Sequence, residues 1–174
     1  MRVRWLISAG TVAASVAHVA YAAQYMSVEE AQKAAFPQAT QFVAIAAPDA
    51  ATASALGASS GWSPRIFDAR NADAHLGYVI VDQVIGKSEL ITYALALDAN
   101  GAVQSIEILD YRESHGGEVR LAGWRKQFVG KTAADPVALN TDIKNISGAT
   151  LSARHLTEGV QRLLKLYQRA LAHA

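Results

Sequence analysis

The sequence contains no cysteine, and this absence excludes several kinds of chemistry. Disulfide bonds, thiolate metal sites and cysteine nucleophiles all require that residue. The chain also lacks the Gly-x-x-x-x-Gly-Lys-Ser/Thr loop and the Gly-x-Gly-x-x-Gly fingerprint of common nucleotide-binding folds. His18 and His75 have no metal-ligating partners at a useful spacing, and Ser147 lacks the Gly-x-Ser-x-Gly context of a hydrolase nucleophile. We therefore predict no metal site and no catalytic residue.

A dominant charge of either sign is also missing, since 16 lysines and arginines stand against 15 acids. Residues 1–22 contain Arg2 and Arg4 and no acid, so their removal leaves 14 basic residues and a net charge of −1 with neutral histidines. This balance gives no support for a nucleic-acid partner or a basic membrane-binding patch.

Long apolar runs are scarce, and the one at the N-terminus is short. Two arginines precede the mostly apolar stretch from Trp5 to Val19, and Ala20-Tyr21-Ala22 fits the small-x-small pattern of a cleavage site. We predict a signal peptide over residues 1–22, cleaved before Ala23, and a periplasmic mature protein. The alternative is a retained membrane anchor, for which about 15 apolar residues are short against the ~20 that span a bilayer.

The first part of the mature chain predicts one short helix. Ser27 has the properties of an N-cap with Glu30 at the capping-box position, and Pro37 ends the helix. Residues 41–45 favour a strand, and residues 46–61 are either a loose helix or a loop.

From Arg65 onward, short β-rich segments alternate with turns, which predicts an antiparallel meander of three or four strands. Gly86-Lys87 is predicted as a two-residue connection, and a strong turn is predicted at residues 98–101. In the last segment, alternation places Val103 on the face opposite to Ile106. The predicted strands cover residues 65–69, 77–85, 90–97 and 103–109.

The second half of the chain predicts helices. Residues 118–128 are predicted as one helix, residues 139–143 as a short strand, and the C-terminal segment as a long amphipathic helix. The apolar side of the middle helix is predicted to hold Val119, Leu121, Trp124 and Phe128. The fold class is therefore α+β, with an antiparallel meander sheet packed against a middle helix and a long C-terminal helix.

The stretch Asn145–Ser152 opens directly into the C-terminal helix. Gly148 permits a close approach of other groups, while Ser147 and Thr150 place hydroxyls near the helix start. A helix N-terminus has unpaired N–H groups and a dipole that favours negative charge, which suits a phosphate. On spacing alone, the stretch is either an ordinary helix cap or a phosphate-binding site.

Ser147-Gly148-Ala149-Thr150 resembles the flavinylation motif of the FMN-binding domain family, Ser/Thr-Gly-Ala-Thr at a helix start. The family's Glu-Thr-Pro-Gly loop and its later Trp…Gln-Phe-x-Gly segment are similar to Glu113–Gly117 and Trp124–Gly130. With the strand pattern before them, the resemblance covers residues 77–167. The family includes the extracytoplasmic FMN-carrying subunits of sodium-pumping NADH:quinone reductase and of its ferredoxin-linked relative.

The resemblance implies a covalent FMN, attached through a phosphoester to Thr150 by a Mg²⁺-dependent flavin transferase that uses FAD as donor. It implies that the phosphate is cradled by Ser147, Gly148, Ala149 and Leu151. It also implies that the isoalloxazine ring lies beside a loop formed by Glu113, Ser114, His115 and Gly116, with Trp124 on the supporting helix.

Two interpretations remain open for several of these residues. Glu113 is either a flavin contact or a cap at the loop end, and Trp124 and Tyr111 either stack on the ring or pack in the core. His115, which replaces the family's proline, is either a proton donor to the flavin or an exposed loop histidine. Lys144 stands where the family carries an acid, and Asp142 is the candidate to replace that acid.

Together these features predict a periplasmic electron-carrier flavoprotein within a membrane-linked redox system. The expected partners are the flavin transferase and a membrane-bound cytochrome or quinone-linked redox protein. The alternatives are a module that binds FMN or another phosphate-bearing ligand without a covalent bond, and an accessory subunit of an envelope redox complex. The predicted domains are a signal peptide (1–22), an N-terminal helix with an irregular segment (23–64) and an FMN-binding domain (65–174).

Overall fold

The computed structural model describes residues 23–172, and the predicted signal peptide over residues 1–22 lies outside this range. No helix within residues 23–172 combines the length and the apolar character that a membrane span requires. The predicted domain division is not tested by the fold and stays a prediction.

A six-stranded antiparallel sheet forms the centre of the molecule, in the order β1-β6-β5-β4-β3-β2. The meander predicted from Arg65 onward is confirmed as four consecutive strands joined by short turns. Two further strands lie at the edges, one of only two residues. The strands are β1 Ala23–Gln24, β2 Gln41–Ile45, β3 Arg65–Asn71, β4 Ala74–Ile85, β5 Leu90–Asp98 and β6 Val103–Tyr111.

The helices lie on both faces of the sheet and at its edges. Ser27 caps the first helix with the reciprocal Ser27–Glu30 hydrogen bonds of a capping box, as predicted. The long C-terminal helix is also confirmed, and it continues as a π-helical turn over Tyr167–Leu171. The helices are α1 Val28–Ala35, α2 Ala50–Ala55, α3 Ala122–Arg125 and α4 Thr150–Leu166, with 3₁₀ turns at Gly117–Arg120 and Lys126–Phe128.

Two apolar clusters cover the two faces of the sheet. α4 packs on one face with the apolar side of the predicted amphipathic helix, and α1 packs on the other. The first cluster includes Ile80, Leu95, Leu97, Leu156, Val160 and Leu163, and the second includes Ala31, Phe36, Val79, Val81 and Ala96. Removal of this surface from water is the main force that holds α4, and therefore its N-terminus, against the sheet.

The middle segment is not the single helix that the sequence predicts. Leu121 has an extended backbone (φ −63°, ψ 125°) and is 62 % exposed, and it separates the first 3₁₀ turn from α3. Val119 and Trp124 are five residues apart, so they would point about 140° apart on a continuous helix. The break at Leu121 allows Val119, Trp124 and Phe128 all to be buried.

Three smaller predictions are also corrected. The connection between β4 and β5 has four residues, Gly86–Glu89, closed by a hydrogen bond from the N–H of Gly86 to the carbonyl of Glu89. Val103 belongs to the same buried cluster as Ile106, because the register shifts between Ala96 and Leu97. Residues 139–143 contain one isolated bridge, between Leu139 and Ile143, and no strand.

Residues 57–61 match the Gly-x-Ser-x-Gly pattern around Ser59. A nucleophile elbow needs a strand before the serine and a helix after it. Here α2 precedes the segment and β3 follows it, so the match does not indicate a hydrolase.

Gly159 allows α4 to approach the sheet, and its replacement tests that packing. A Cβ added at Gly159 would lie 2.5 Å from Tyr93 Oη and 2.9 Å from Val84 Cγ1. Tyr93 is fully buried and its hydroxyl donates to Asp82, so it has no room to move. We expect Gly159→Ala to lower the free energy of unfolding by about 1–3 kcal/mol, because overpacking outweighs the gain in helix propensity.

Urea unfolding followed by circular dichroism measures this effect. Gly123→Ala in α3 is the matched control, since no atom lies within 4 Å of the added Cβ. That variant is expected to be neutral or more stable by up to ~1 kcal/mol. Equal effects of the two substitutions would contradict the proposed packing.

Candidate functional site

The N-terminus of α4 is open. Thr150 is its first residue, and Ala149 occupies the N-cap position without a side-chain hydrogen bond. Within residues 23–172, no hydrogen bond is made by the backbone N–H groups of Thr150, Leu151 and Ser152. The Ser147 and Thr150 hydroxyls do not cap the helix, so the three N–H groups and the helix dipole remain available to an anion.

The backbone at Gly148 is left-handed (φ +86°), which is the conformation that glycine adopts without strain. The Thr150 side chain is exposed, and its Oγ1 lies 3.3 Å from Asn145 Nδ2 and 3.5 Å from the carbonyl of Ile146. Asn145 Oδ1 in turn accepts from the N–H of Ile146 at 2.8 Å. Thr150 therefore presents a hydroxyl to solvent beside the open helix end.

The loop after β6 is tied to α4 through Tyr111. Its hydroxyl donates to the carbonyl of His115 at 2.5 Å and lies 3.3 Å from Ser152 Oγ. Burial raises the pKa of Tyr111, so the phenol keeps its proton. Gly116 (φ +84°) lies at this junction, where an added Cβ would come within 2.8 Å of Tyr111 Oη. The glycine thus permits the loop to approach α4 closely.

The predicted loop and the predicted turn face each other across an open pocket of about 550 Å³. A second pocket of about 580 Å³ adjoins it and shares the loop residues and Gly148. Volumes of this size suit a cofactor. The first pocket is lined by Lys87, Ser88, Glu113, Ser114, His115, Gly116, Gly148, Ala149, Thr150, Leu151 and Ser152, and the second adds Tyr25, Tyr111, Gly117, Glu118, Arg120 and Leu121.

Trp124 lies outside the lining of both pockets and holds the chain that leads to Thr150. It is buried and packs edge-on against Phe128, with ring centroids 5.1 Å apart. Its Nε1 donates to the carbonyl of Lys144 at 2.8 Å, and the N–H of Lys144 donates to Gln127 Oε1 at 2.8 Å. Gln127 Nε2 donates back to the carbonyl of Trp124 at 3.1 Å. The Trp124–Gly130 segment is therefore hydrogen-bonded to the backbone of Lys144, directly before the stretch Asn145–Ser152.

Lys144 exposes its side chain, and only its backbone is held by these contacts. Asp142 is engaged elsewhere, since it accepts from Lys131 Nζ at 2.8 Å and from the N–H groups of Val137 and Ala138. Burial raises the pKa of Asp142, but these donors outweigh burial and the net pKa is lowered. Asp142 thus closes its own loop and does not face the Thr150 turn.

The Glu113 carboxylate faces the β4–β5 connection. Its Oε1 accepts from the N–H groups of Ser88 at 2.5 Å and Glu89 at 2.9 Å. Burial raises the pKa of Glu113, but these backbone donors outweigh it and the net pKa is lowered. His115 is exposed, and its Nδ1 lies 2.9 Å from Ser114 Oγ. Lys87, Ser88 and Arg120 also line the pockets, and no motif in the sequence marks them.

These features define an α+β domain with a binding site for a phosphate-bearing ligand, built from an open helix N-terminus and a glycine-containing loop. Residues 86–165 match the family model described as "FMN-binding domain". This match over residues 86–165 confirms the resemblance to the FMN-binding domain family. The matched region contains both motifs and the β4–β5 connection.

A similar protein is one of the subunits of the Na(+)-translocating ferredoxin:NAD(+) oxidoreductase complex of Acetobacterium woodii. The two sequences are 26 % identical over 92 residues, which are 48 % of this chain and 43 % of the relative. The aligned part thus spans less than half of the relative's length.

The residues present fit an FMN. Three free N–H groups at the start of α4 suit its phosphate. The pocket beside Thr150 and the adjoining pocket provide space for its ribityl chain and ring.

The contacts to Lys144 give a stability prediction. Trp124→Phe keeps an aromatic ring against Phe128 but leaves the carbonyl of Lys144 without its donor. We expect the free energy of unfolding to fall by about 1–2 kcal/mol, which urea unfolding measures. Lys144→Ala is the control and should change stability by less than about 0.5 kcal/mol, because its side chain is exposed. A loss in the control as large as in Trp124→Phe would show that the side chain of Lys144 matters more than its backbone.

Proposed function

We propose that this chain is an electron-carrier flavoprotein with FMN attached to Thr150 through a phosphoester bond. The observation that carries the proposal is the exposed Thr150 Oγ1 beside three unpaired N–H groups, in a domain that matches an FMN-binding family. A phosphate ester on this hydroxyl lies where the helix end stabilises negative charge. A flavin transferase that uses FAD and Mg²⁺ would install it.

The attachment step balances without an oxidant or reductant. Thr150 Oγ1 attacks the phosphorus of the FMN half of FAD, one ester P–O bond forms, and the anhydride P–O bond breaks. AMP leaves, and the hydroxyl proton is lost. Thr150 Oγ1 accepts from Asn145 Nδ2 at 3.3 Å and donates to the carbonyl of Ile146 at 3.5 Å, which leaves one lone pair of the hydroxyl for the attack.

Once bound, FMN supplies the redox chemistry, and the protein supplies position and shielding. The open helix end would hold the phosphate through the N–H groups of Thr150, Leu151 and Ser152. The loop from Glu113 to Gly116 would form a wall of the site, with Gly116 allowing its close approach to α4. Trp124 and Gln127 would act indirectly, by fixing the backbone of Lys144 before the turn that leads to Thr150.

We propose further that the protein works in the periplasm with a membrane-bound cytochrome or quinone-linked redox protein. The N-terminal pattern of residues 1–22 supports export. The similarity to a subunit of a ferredoxin:NAD(+) oxidoreductase complex supports membrane redox partners. A covalent bond would keep the cofactor on a protein outside the cytoplasm.

Intact-mass spectrometry tests the attachment. After co-expression with a flavin transferase, the chain should gain the mass of one FMN minus one water. Thr150→Ala should show no gain, whereas Thr141→Ala, which changes another exposed threonine, should gain the same mass as the unaltered chain. A gain that survives Thr150→Ala would exclude this attachment residue.

Denaturing gels separate the alternatives. A covalent flavin stays fluorescent on the denatured chain, whereas a non-covalent FMN or other phosphate ligand is lost. A colourless chain in the presence of transferase and riboflavin would instead favour an accessory subunit without a flavin.

N-terminal sequencing of the periplasmic fraction tests export and cleavage. We expect the mature chain to begin at Ala23, since small residues occupy positions 20 and 22. A chain recovered with Met1 in the membrane fraction would support the retained anchor.

A further inference from the structure

The β4–β5 connection, Gly86–Glu89, lies against the proposed FMN site. Lys87 and Ser88 line the same pocket as the Thr150 turn, although about 60 residues separate them in the sequence. The connection therefore forms a third wall, beside the loop after β6 and the start of α4.

Glu113 holds this connection from the loop side. Its carboxylate accepts two backbone N–H groups, from Ser88 at 2.5 Å and from Glu89 at 2.9 Å. A Cβ added at Gly86 would lie 2.6 Å from Glu113 Oε1 and 2.9 Å from its Cγ. The carboxylate thus packs against the backbone of the connection, and its negative charge is stabilised by the two N–H donors.

His155 holds the same connection from α4. Its Nδ1 lies 2.6 Å from the carbonyl oxygen of Ile85 and 3.0 Å from that of Gly86. Carbonyl oxygens only accept, so Nδ1 carries the hydrogen. One helix therefore carries both Thr150 and an anchor of the opposite wall, five residues later.

Charge distinguishes Lys87 within this pocket. Among the described residues that line it, Lys87 is the one lysine or arginine and Glu113 is the one carboxylate. Because Glu113 is hydrogen-bonded to the connection, the ammonium group of Lys87 is left to interact with a ligand. A phosphate is the negatively charged part of FMN, and the Thr150 hydroxyl lies in the same pocket.

We propose that Lys87 contacts the phosphate of the bound flavin, and that Glu113 and His155 are positioning residues that hold the Gly86–Glu89 connection in place for that contact. The inference rests on the proposed function. It gives Glu113 a role distinct from a direct flavin contact, since its oxygens point to the backbone of the connection.

Binding of free FMN and free riboflavin to the apoprotein tests Lys87. The full chain is produced without a flavin transferase, and quenching of flavin fluorescence gives the two affinities. Lys87→Gln should weaken FMN about two- to fivefold, as expected for a solvent-exposed ion pair. It should leave riboflavin unchanged, because riboflavin has no phosphate.

Lys126→Gln is the matched control, since Lys126 is exposed and lies outside both pockets. It should change neither affinity. An unchanged FMN affinity in Lys87→Gln, or an equal loss for FMN and riboflavin, would overturn the assignment of Lys87. If the unaltered chain bound neither flavin and also gained no FMN mass after co-expression with the transferase, the proposed function itself would fail.

Amide hydrogen exchange tests the positioning role without any ligand. In Glu113→Ala, the N–H groups of Ser88 and Glu89 should exchange about tenfold faster or more, because each loses a charged acceptor. Glu118→Gln is the control, since Glu118 borders the adjoining pocket and makes no hydrogen bond to the connection among the described residues. Unchanged exchange in Glu113→Ala would overturn the positioning role.

A double substitution separates positioning from direct contact. If Glu113 acts through Lys87, then Glu113→Ala combined with Lys87→Gln should bind FMN no more weakly than Lys87→Gln alone. Additive losses would overturn this coupling. His155→Ala provides an independent variant with the same expected outcomes, and circular dichroism checks that each variant is folded.

Discussion

The backbone N–H and carbonyl of Lys144 are both hydrogen-bonded to the segment Trp124–Gln127, and the geometry of the site depends on these contacts. Trp124 donates to the carbonyl of Lys144, and Gln127 accepts from the N–H of Lys144. The side-chain amide of Gln127 also donates to the carbonyl of Trp124. These three hydrogen bonds fix the backbone six residues before Thr150. Two stretches that are separate in the sequence thereby act as one unit, and the identity of the exposed side chain at position 144 is left free.

A second junction closes the site from the other side. Tyr111 bridges the loop at His115 and the helix at Ser152, and Gly116 allows the two backbones to approach. Because α4 is packed on the sheet by its apolar stripe, its open N-terminus is rigidly presented to this loop. The hydrophobic core thus sets the direction of the helix dipole, and the polar junction sets the distance across the pocket.

In the pocket beside Thr150, the carboxylate is hydrogen-bonded by the protein itself, whereas the N–H groups at the start of α4 remain available to a ligand. Glu113, the one carboxylate among the described residues that line the pocket beside Thr150, is hydrogen-bonded to the Gly86–Glu89 connection, while the first N–H groups of α4 have no partner among residues 23–172. This distribution suits an anionic group at Thr150. Neither Lys144 nor Asp142 directs a side chain into the pocket.

The sequence by itself determined the α+β class, the four-strand meander, the capped α1 and the long α4, because alternation, turn residues and a 3.6-residue stripe are local signals. Its two motifs also predicted that the loop at Glu113 and the turn at Thr150 lie close together, and the two line one pocket. Only the tertiary structure decided that the middle segment breaks at Leu121, that Glu113 turns away to the β4–β5 connection, and that Lys87 lines the pocket. The break at Leu121 follows from the burial of Val119, Trp124 and Phe128. The other two features depend on side chains that bond to backbone groups far away in the chain. Residue type and spacing do not encode such pairings, since the partners meet only when the sheet and α4 have packed.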